Sequence, residues 1–140
     1  MVVRIARVRD EPLDVAEHLA AVQERAVGAI ATFIGTVRDA DPEATGEVVA
    51  LEYTAHPDAE ATLGQLAAAA APDPLLVAVS HRVGRLEVGE PAVVIAVGGA
   101  HRGEAFAACR ALIESIKTDL PVWKRQHEAD GRTEWKGLGG

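Results

Sequence analysis

The chain has 140 residues, 49% hydrophobic and 25% charged. That balance supports one globular domain with its own core, without disulfides or a structural metal. The formal net charge is −7, which argues against a surface that holds nucleic acid by its phosphates, since such surfaces carry a basic excess. No apolar run approaches the ~20 residues that cross a bilayer, and the opening MVVRIARVRDEP lacks the apolar stretch of a signal peptide. The single cysteine, Cys109, excludes an internal disulfide and a cysteine-based metal site, and is compatible with a reducing cytoplasm.

Residues 2–8 (VVRIARV) predict a first strand. Asp10, Glu11 and Pro12 then signal a helix start, and an apolar stripe runs from Leu13 to Val22, with the helix reaching about Arg25. Residues 28–38 (GAIATFIGTVR) read as a β-branched strand, with Gly35 marking a bulge or a close approach. A loop containing Pro42 and Gly46 precedes a strand over residues 47–54. Pro57 opens a helix that lasts to about Ala71 and is stopped by Pro72 and Pro74. Residues 75–83 predict a strand, 84–90 a turn and 92–98 another strand. The longest helix is expected over about residues 103–119, because Ala105, Phe106, Cys109, Leu112, Ile113 and Ile116 recur at helical spacing, and Pro121 ends it. Residues 122–127 and 132–135 close the chain as a hairpin around Asp130-Gly131. Helices and strands are interleaved, but several strands are joined by short turns. The expected class is therefore α+β rather than a doubly wound parallel sheet.

The basic residues are unevenly chosen. Eleven are Arg and three are Lys, namely Lys117, Lys124 and Lys136, all within the last 24 residues. Lys117 falls in the last turn of the long helix and Lys124 lies three residues past Pro121. A helix, a proline turn and a strand can fold two amines toward one point, where they would bind an anion and serve as acid, base or nucleophile. The plain alternative is a lysine complementing the helix dipole and a solvated lysine on a strand. His101 and Arg102 stand where a Gly-rich turn meets the N-terminus of that helix, a place suited to phosphate or carboxylate; a solvated turn is the plain alternative. Arg38 ends a strand and by itself is an ordinary surface arginine. The five histidines are dispersed and show no metal-ligand spacing, so no metal and no cofactor are expected. Cys109 falls on the apolar helix face, where an inert buried thiol is the default. Trp123 and Trp135 flank the hairpin and suit a core or a subunit interface.

Taken together, GAIATFIGTVRD, VVALEYTAHPDA, VSHRVGRLEVGE, AHRGEAFAACRALIESIKTDLPVWKRQ and DGRTEW, in that order over about residues 28–135, resemble the molybdopterin synthase large (catalytic) subunit family. The most specific stretches are K-x-x-x-P-x-W-K at Lys117 to Lys124 and A-H-R-x-x-A-F at Ala100 to Phe106. The resemblance implies an α/β hammerhead-like fold with a small additional antiparallel β subdomain, in one domain spanning residues 1–140. It implies a sulfurtransferase that converts cyclic pyranopterin monophosphate to molybdopterin by two sulfur transfers. The sulfur comes from the C-terminal Gly-Gly thiocarboxylate of a ubiquitin-like small subunit. It further implies a cytoplasmic homodimer of large subunits with a small subunit at each end, a heterotetramer.

Carried onto this chain, the resemblance makes Lys117 and Lys124 catalytic, and Arg38, His101 and Arg102 substrate-binding, with His101 and Arg102 reaching the site from the neighbouring subunit. Phe33 and Ile113 fall at pocket-wall positions. Gln126, where many relatives carry an acid, and Val122, where isoleucine is common, depart from the pattern without removing a proposed catalytic group. The chain ends in Gly139-Gly140, like the partner's tail, which raises the idea that its own end can enter the pocket. Two other readings are a scaffold that binds a ubiquitin-like protein without catalysis, and an unrelated enzyme of phosphorylated metabolites.

Overall fold

A computed structural model of the chain describes residues 2–40 and 46–136, apart from the side chains of Glu134 and Lys136. Pro42 of the expected loop and the Gly139-Gly140 tail lie outside the described residues. The order of elements is β1 (Val3–Arg9), α1 (Val15–Ala21), β2 (Ala29–Thr36), β3 (Val48–Ala55), α2 (Ala59–Ala70), β4 (Leu76–Arg82), β5 (Gly84–Glu87), β6 (Pro91–Gly99), α3 (Arg102–Asp119), β7 (Val122–Glu128) and β8 (Thr133–Lys136). They build two four-stranded sheets, one ordered β1-β4-β6-β2 and the other β5-β3-β7-β8. Among the described strands only β1 and β4 run parallel; the other pairings are antiparallel. This is the α+β architecture expected from the short connections.

The first sheet is buried on both faces. On one face Val77, Val79, Val93, Ile95 and Val97 pack with Leu63 and Ala67 of α2 and with Ala105, Leu112 and Ile116 of α3. The buried positions of α3 step by three and one along the chain (Ala105, Ala108, Cys109, Leu112, Ile113, Ile116), which is one face of a helix. Removing that much aliphatic surface from water is the main driving force for the layer. Pro121 stops α3, and the Leu120 cap still donates its N–H to the Ile116 carbonyl. On the opposite face Leu76, Ala78, Ala96 and Ile5 pack with Val22 under α1.

Two elements differ from expectation. The helix expected from Asp10 to about Arg25 is the seven-residue α1. It starts at Asp14, whose side chain accepts the Glu17 N–H at 3.2 Å, a stronger start than the proline upstream. It ends at Ala21 because Val22 is driven into the core, with its carbonyl against Gly98. A Cβ on Gly98 would lie 2.5 Å from that oxygen. So short a helix does not stand by itself, and His18 anchors it by a 2.7 Å bond between its Nε2 and Ser80 Oγ of β4. The second difference is the segment expected as a turn over residues 84–90, whose first half is β5. Its four residues place only Leu86 in the core, too weak a pattern to read as a strand, and it forms because β3 offers it a free edge. Gly84, at φ +86°, makes the sharp junction with β4 that only glycine adopts without strain.

The second sheet meets the first through Val37, Val48, Leu51, Leu86 and Ala92. The last turn of α3 lies where the two sheets meet. The hairpin expected at the end of the chain is present as β7 and β8, turning at Gly131 (φ +88°). No described helix is long and apolar enough to cross a membrane.

Candidate active site

A cavity of about 90 Å³ opens between the two sheets and the last turns of α3. Phe33, Gly35 and Thr36 of β2 and Ala92 and Val93 of β6 form one wall. Ile113, Ile116 and Lys117 of α3 form the second, and Tyr53 of β3 with Val122 and Lys124 of β7 the third. His81 closes it from the end of β4.

The strand registers explain why these side chains meet. Val122 and Lys124 are two residues apart on β7 and so share a face; opposite them on β3 stand Ala55 and Tyr53. The Pro121 turn carries the chain directly from α3 into β7, which brings Lys117 and Lys124 to the same opening. On β2 the ladder slips between Gly35 and Thr36. A Cβ at Gly35 would come within 2.8 Å of Val93 Cγ1 and 3.2 Å of the Phe33 ring, so glycine there lets Phe33 and Val93 close the wall.

Among the described residues the lining carries no carboxylate. Lys117 is exposed at the rim and pairs with no carboxylate among the described residues. Such a cavity is suited to an anion. His81 is buried, with its ring edge-on to Tyr53 at 5.0 Å between centroids. Burial first, and then the charge of Lys117, push the His81 pKa down to about 4, against an opposing hydrogen bond to the Arg82 backbone. Burial raises the Tyr53 hydroxyl to about 12, so both groups are neutral near pH 7. Beside them Arg82 is tied to Glu90 at 3.2 Å, and Glu90 also accepts the Glu87 N–H at 2.6 Å, which fixes the turn between β5 and β6.

Of the residues singled out in the sequence, Lys117, Lys124, Phe33 and Ile113 line this cavity together. Arg38 does not line it; it lies exposed two residues beyond Thr36, just past Val37, which is bonded to residues 89 and 90. His101 and Arg102 are at the other end of α3. Fifteen residues at 1.5 Å each separate Arg102 from Lys117 by about 22 Å. Within one chain these two groups cannot act at the same point. His101 there caps the helix, its N–H donating to Glu104 Oε1 at 3.2 Å.

Sequence reasoning missed His81 and Tyr53. The available signal was that Ser80, His81 and Arg82 end a strand whose every residue is buried, and polar groups so placed need a reason. Cys109 is buried on α3 as expected, and burial raises its pKa. The two tryptophans are not in the core. Trp123 and Trp135 are 39% and 50% exposed, and Arg125 stacks over the Trp135 ring at 4.3 Å. Among the described residues no group of three or more His, Cys, Asp or Glu side chains gathers to hold a metal.

The family model for the MoaE protein matches residues 8–119 of this chain. The chain belongs to the MoaE family. It is 41% identical over 133 residues to the molybdopterin synthase catalytic subunit of Nostoc sp., covering 91% of this chain and 79% of that one. In three dimensions it is similar to the molybdopterin synthase crystal structure from Staphylococcus aureus, with a TM-score of 0.85 at 31% identity, covering 93% of this chain and 95% of that one. A structure from Helicobacter pylori, a complex of subunits 1 and 2 of molybdopterin-converting factor, shares the fold with a TM-score of 0.71 at 22% identity, over 96% of this chain and 90% of that one.

Proposed function

We propose that this chain, a molybdopterin synthase catalytic subunit by family, performs sulfur transfer in the cavity lined by Lys117 and Lys124. The observation that carries this reading is the meeting of Lys117 and Lys124 in the lining of one cavity. The proposed substrate, cyclic pyranopterin monophosphate, brings a phosphate. The proposed sulfur donor, the Gly-Gly thiocarboxylate of a ubiquitin-like small subunit, brings a second anion. A basic cavity on a chain of net charge −7 concentrates both where they react. Two transfers then give the dithiolene of molybdopterin.

In this scheme Lys117 acts at the sulfur-transfer step, as proton shuttle or transient acyl acceptor. Lys124, and Arg38 from the rim, hold the thiocarboxylate and stabilise negative charge at its carbonyl. Phe33 and Ile113 supply the apolar wall. His101 and Arg102 hold the substrate phosphate from a second copy of the chain, because the length of α3 keeps them from the cavity of their own copy. The assembly is accordingly a homodimer of large subunits with a small subunit at each end, working in the cytoplasm. Phe106, 64% exposed one turn along α3 from Arg102, is the kind of apolar surface such a dimer covers.

The test is reconstitution of purified protein with cyclic pyranopterin monophosphate and a preformed thiocarboxylated small subunit, following molybdopterin. Lys117→Ala is expected to lose at least about a hundredfold in rate, the usual scale for removing a proton-transfer group. Near-normal turnover by that variant would remove Lys117 from the mechanism. Partner binding without product from the unsubstituted chain would favour the scaffold reading instead.

A further inference from the structure

We propose that His81 is a further substrate-binding residue of this cavity, its Nε2 lone pair accepting a hydrogen bond from an N–H or O–H of the small-molecule substrate beside the anion that the lysines hold. The inference rests on the cavity being the substrate site, as proposed above, and adds what the ligand must present there.

The tautomer follows from geometry. His81 Nδ1 lies 2.8 Å from the Arg82 carbonyl oxygen. A carbonyl can only accept, so the proton of the neutral ring is on Nδ1 and Nε2 carries a bare lone pair. The ring's environment keeps it neutral: it is buried, it meets Tyr53 edge-on, and the cation of Lys117 opposes a second positive charge. Nε2 has no hydrogen-bond partner among the described residues and is not among the fully enclosed side-chain atoms left unpaired; it belongs to a ring that lines the cavity, where a ligand that displaces water must supply the donor.

The surrounding groups define the ligand. Lys117 and Lys124 only donate, and the Thr36 and Tyr53 hydroxyls can do either. Of the lining side chains, His81 alone offers an acceptor that carries no proton. A fully deprotonated inorganic anion such as sulfate can pair with the lysines but offers Nε2 no hydrogen. A ligand that carries a ring N–H or a hydroxyl next to its anionic group satisfies both. The cavity thus selects a polar heterocycle with an acid group over the acid group alone. The discrimination comes from a group that would otherwise be unpaired, the kind that rejects analogues most strongly.

Two measurements test this. The first compares kinetics of His81→Phe, which keeps a ring against Tyr53 but has no acceptor, with His81→Gln, whose side-chain carbonyl can reach the place of Nε2. With the thiocarboxylated partner present, His81→Phe is expected to raise KM for cyclic pyranopterin monophosphate about tenfold, the loss of one hydrogen bond, with a smaller change in kcat. Inhibition by sulfate, which has no proton to donate, should stay within about twofold, and His81→Gln should recover most of the KM. An unchanged KM in a folded His81→Phe, or a parallel loss of substrate and sulfate affinity in both variants, would overturn the proposal.

The second uses the unsubstituted chain with 15N-labelled histidine and substrate alone, so no turnover occurs and no variant has to fold. The His81 Nε2 resonance is expected to start at its unprotonated position and move upfield as substrate is added, while sulfate, which has no proton to donate, leaves it in place. If substrate shifts the Ile113 and Ile116 methyls and leaves Nε2 unmoved, the role of His81 is refuted and the site stands. If substrate shifts none of these, the site itself is wrong and the role of His81 falls with it.

Discussion

Replacing His81 should change how stability responds to acid, and the size of the effect follows from its surroundings. The ring has an ordinary pKa of 6.5 and about 4 in the folded chain, because burial and the nearby Lys117 charge disfavour the imidazolium. Between those values the unfolded chain binds a proton that the folded chain refuses. Stability is therefore fully present above pH 6.5 and is lost as pH falls toward 4. A displacement of that size is worth about 3 kcal/mol in total, and most of it, about 2 kcal/mol, is already lost by about pH 4.5. That is a large part of the 5–15 kcal/mol that holds an ordinary domain together.

Urea unfolding near pH 7 and near pH 4.5 reads the loss directly. His81→Phe should show a shallower acid limb than the unsubstituted chain, by about that 2 kcal/mol, whatever its stability at neutral pH. Glu90 does not blur the window. Its carboxyl is held below its ordinary 4.5, first by the Glu87 amide and then by Arg82. The stability it supplies is therefore lost only at still lower pH. Equal slopes for the two proteins between pH 7 and 4.5 would refute a neutral, buried His81.

Three further outcomes follow. Gly98→Ala should lower the urea midpoint strongly, since its Cβ would stand 2.5 Å from the Val22 carbonyl oxygen and force α1 away from the sheet; a midpoint equal to that of the unsubstituted chain would show that α1 moves freely. Leu112→Ala, at a fully buried position of α3, should cost about 2–5 kcal/mol in the same assay, the range for emptying a leucine site. If His101 and Arg102 serve the neighbouring copy, then Lys117→Ala and Arg102→Ala proteins, each nearly inactive, should regain activity when refolded together. A mixed dimer restores one complete site, so up to about half of the mixed dimers' sites should work; no regain would show that Arg102 does not act across the dimer.

The parts of this molecule legible in the sequence are those where one local pattern decides. Helix α3 is legible because six apolar residues repeat at helical spacing and Pro121 stops them. The two lysines are legible because that same proline turn leaves little freedom in how Lys117 and Lys124 sit. The sequence implies too long an α1 because Val22 continues the apolar stripe while the sheet, not the helix, claims it. Strand β5 was hidden because GRLE has one buried side chain and depends on the edge of β3. His81 and Tyr53 were hidden for a deeper reason. Each lies on an ordinary strand, and they meet only because the end of β4 in one sheet abuts β3 in the other. No periodicity within either strand encodes that contact. The place of His101 and Arg102 at a helix start was legible, and so was their separation of about 22 Å from Lys117 at the far end of the same helix; which copy's cavity they serve is not encoded within one chain.

The order of strands in the first sheet also bears on how the chain matures at the ribosome. Its two outer strands, β1 and β2, are translated first, and its two inner strands, β4 and β6, arrive only with residues 76–99. Until then β1 and β2 have no neighbour in their sheet, and each exposes a face meant for a core that does not yet exist. A nascent chain stopped before β4 should therefore be a client for chaperones and readily cut by proteases. Protection should come abruptly once β6 and α3 have emerged, rather than growing with length.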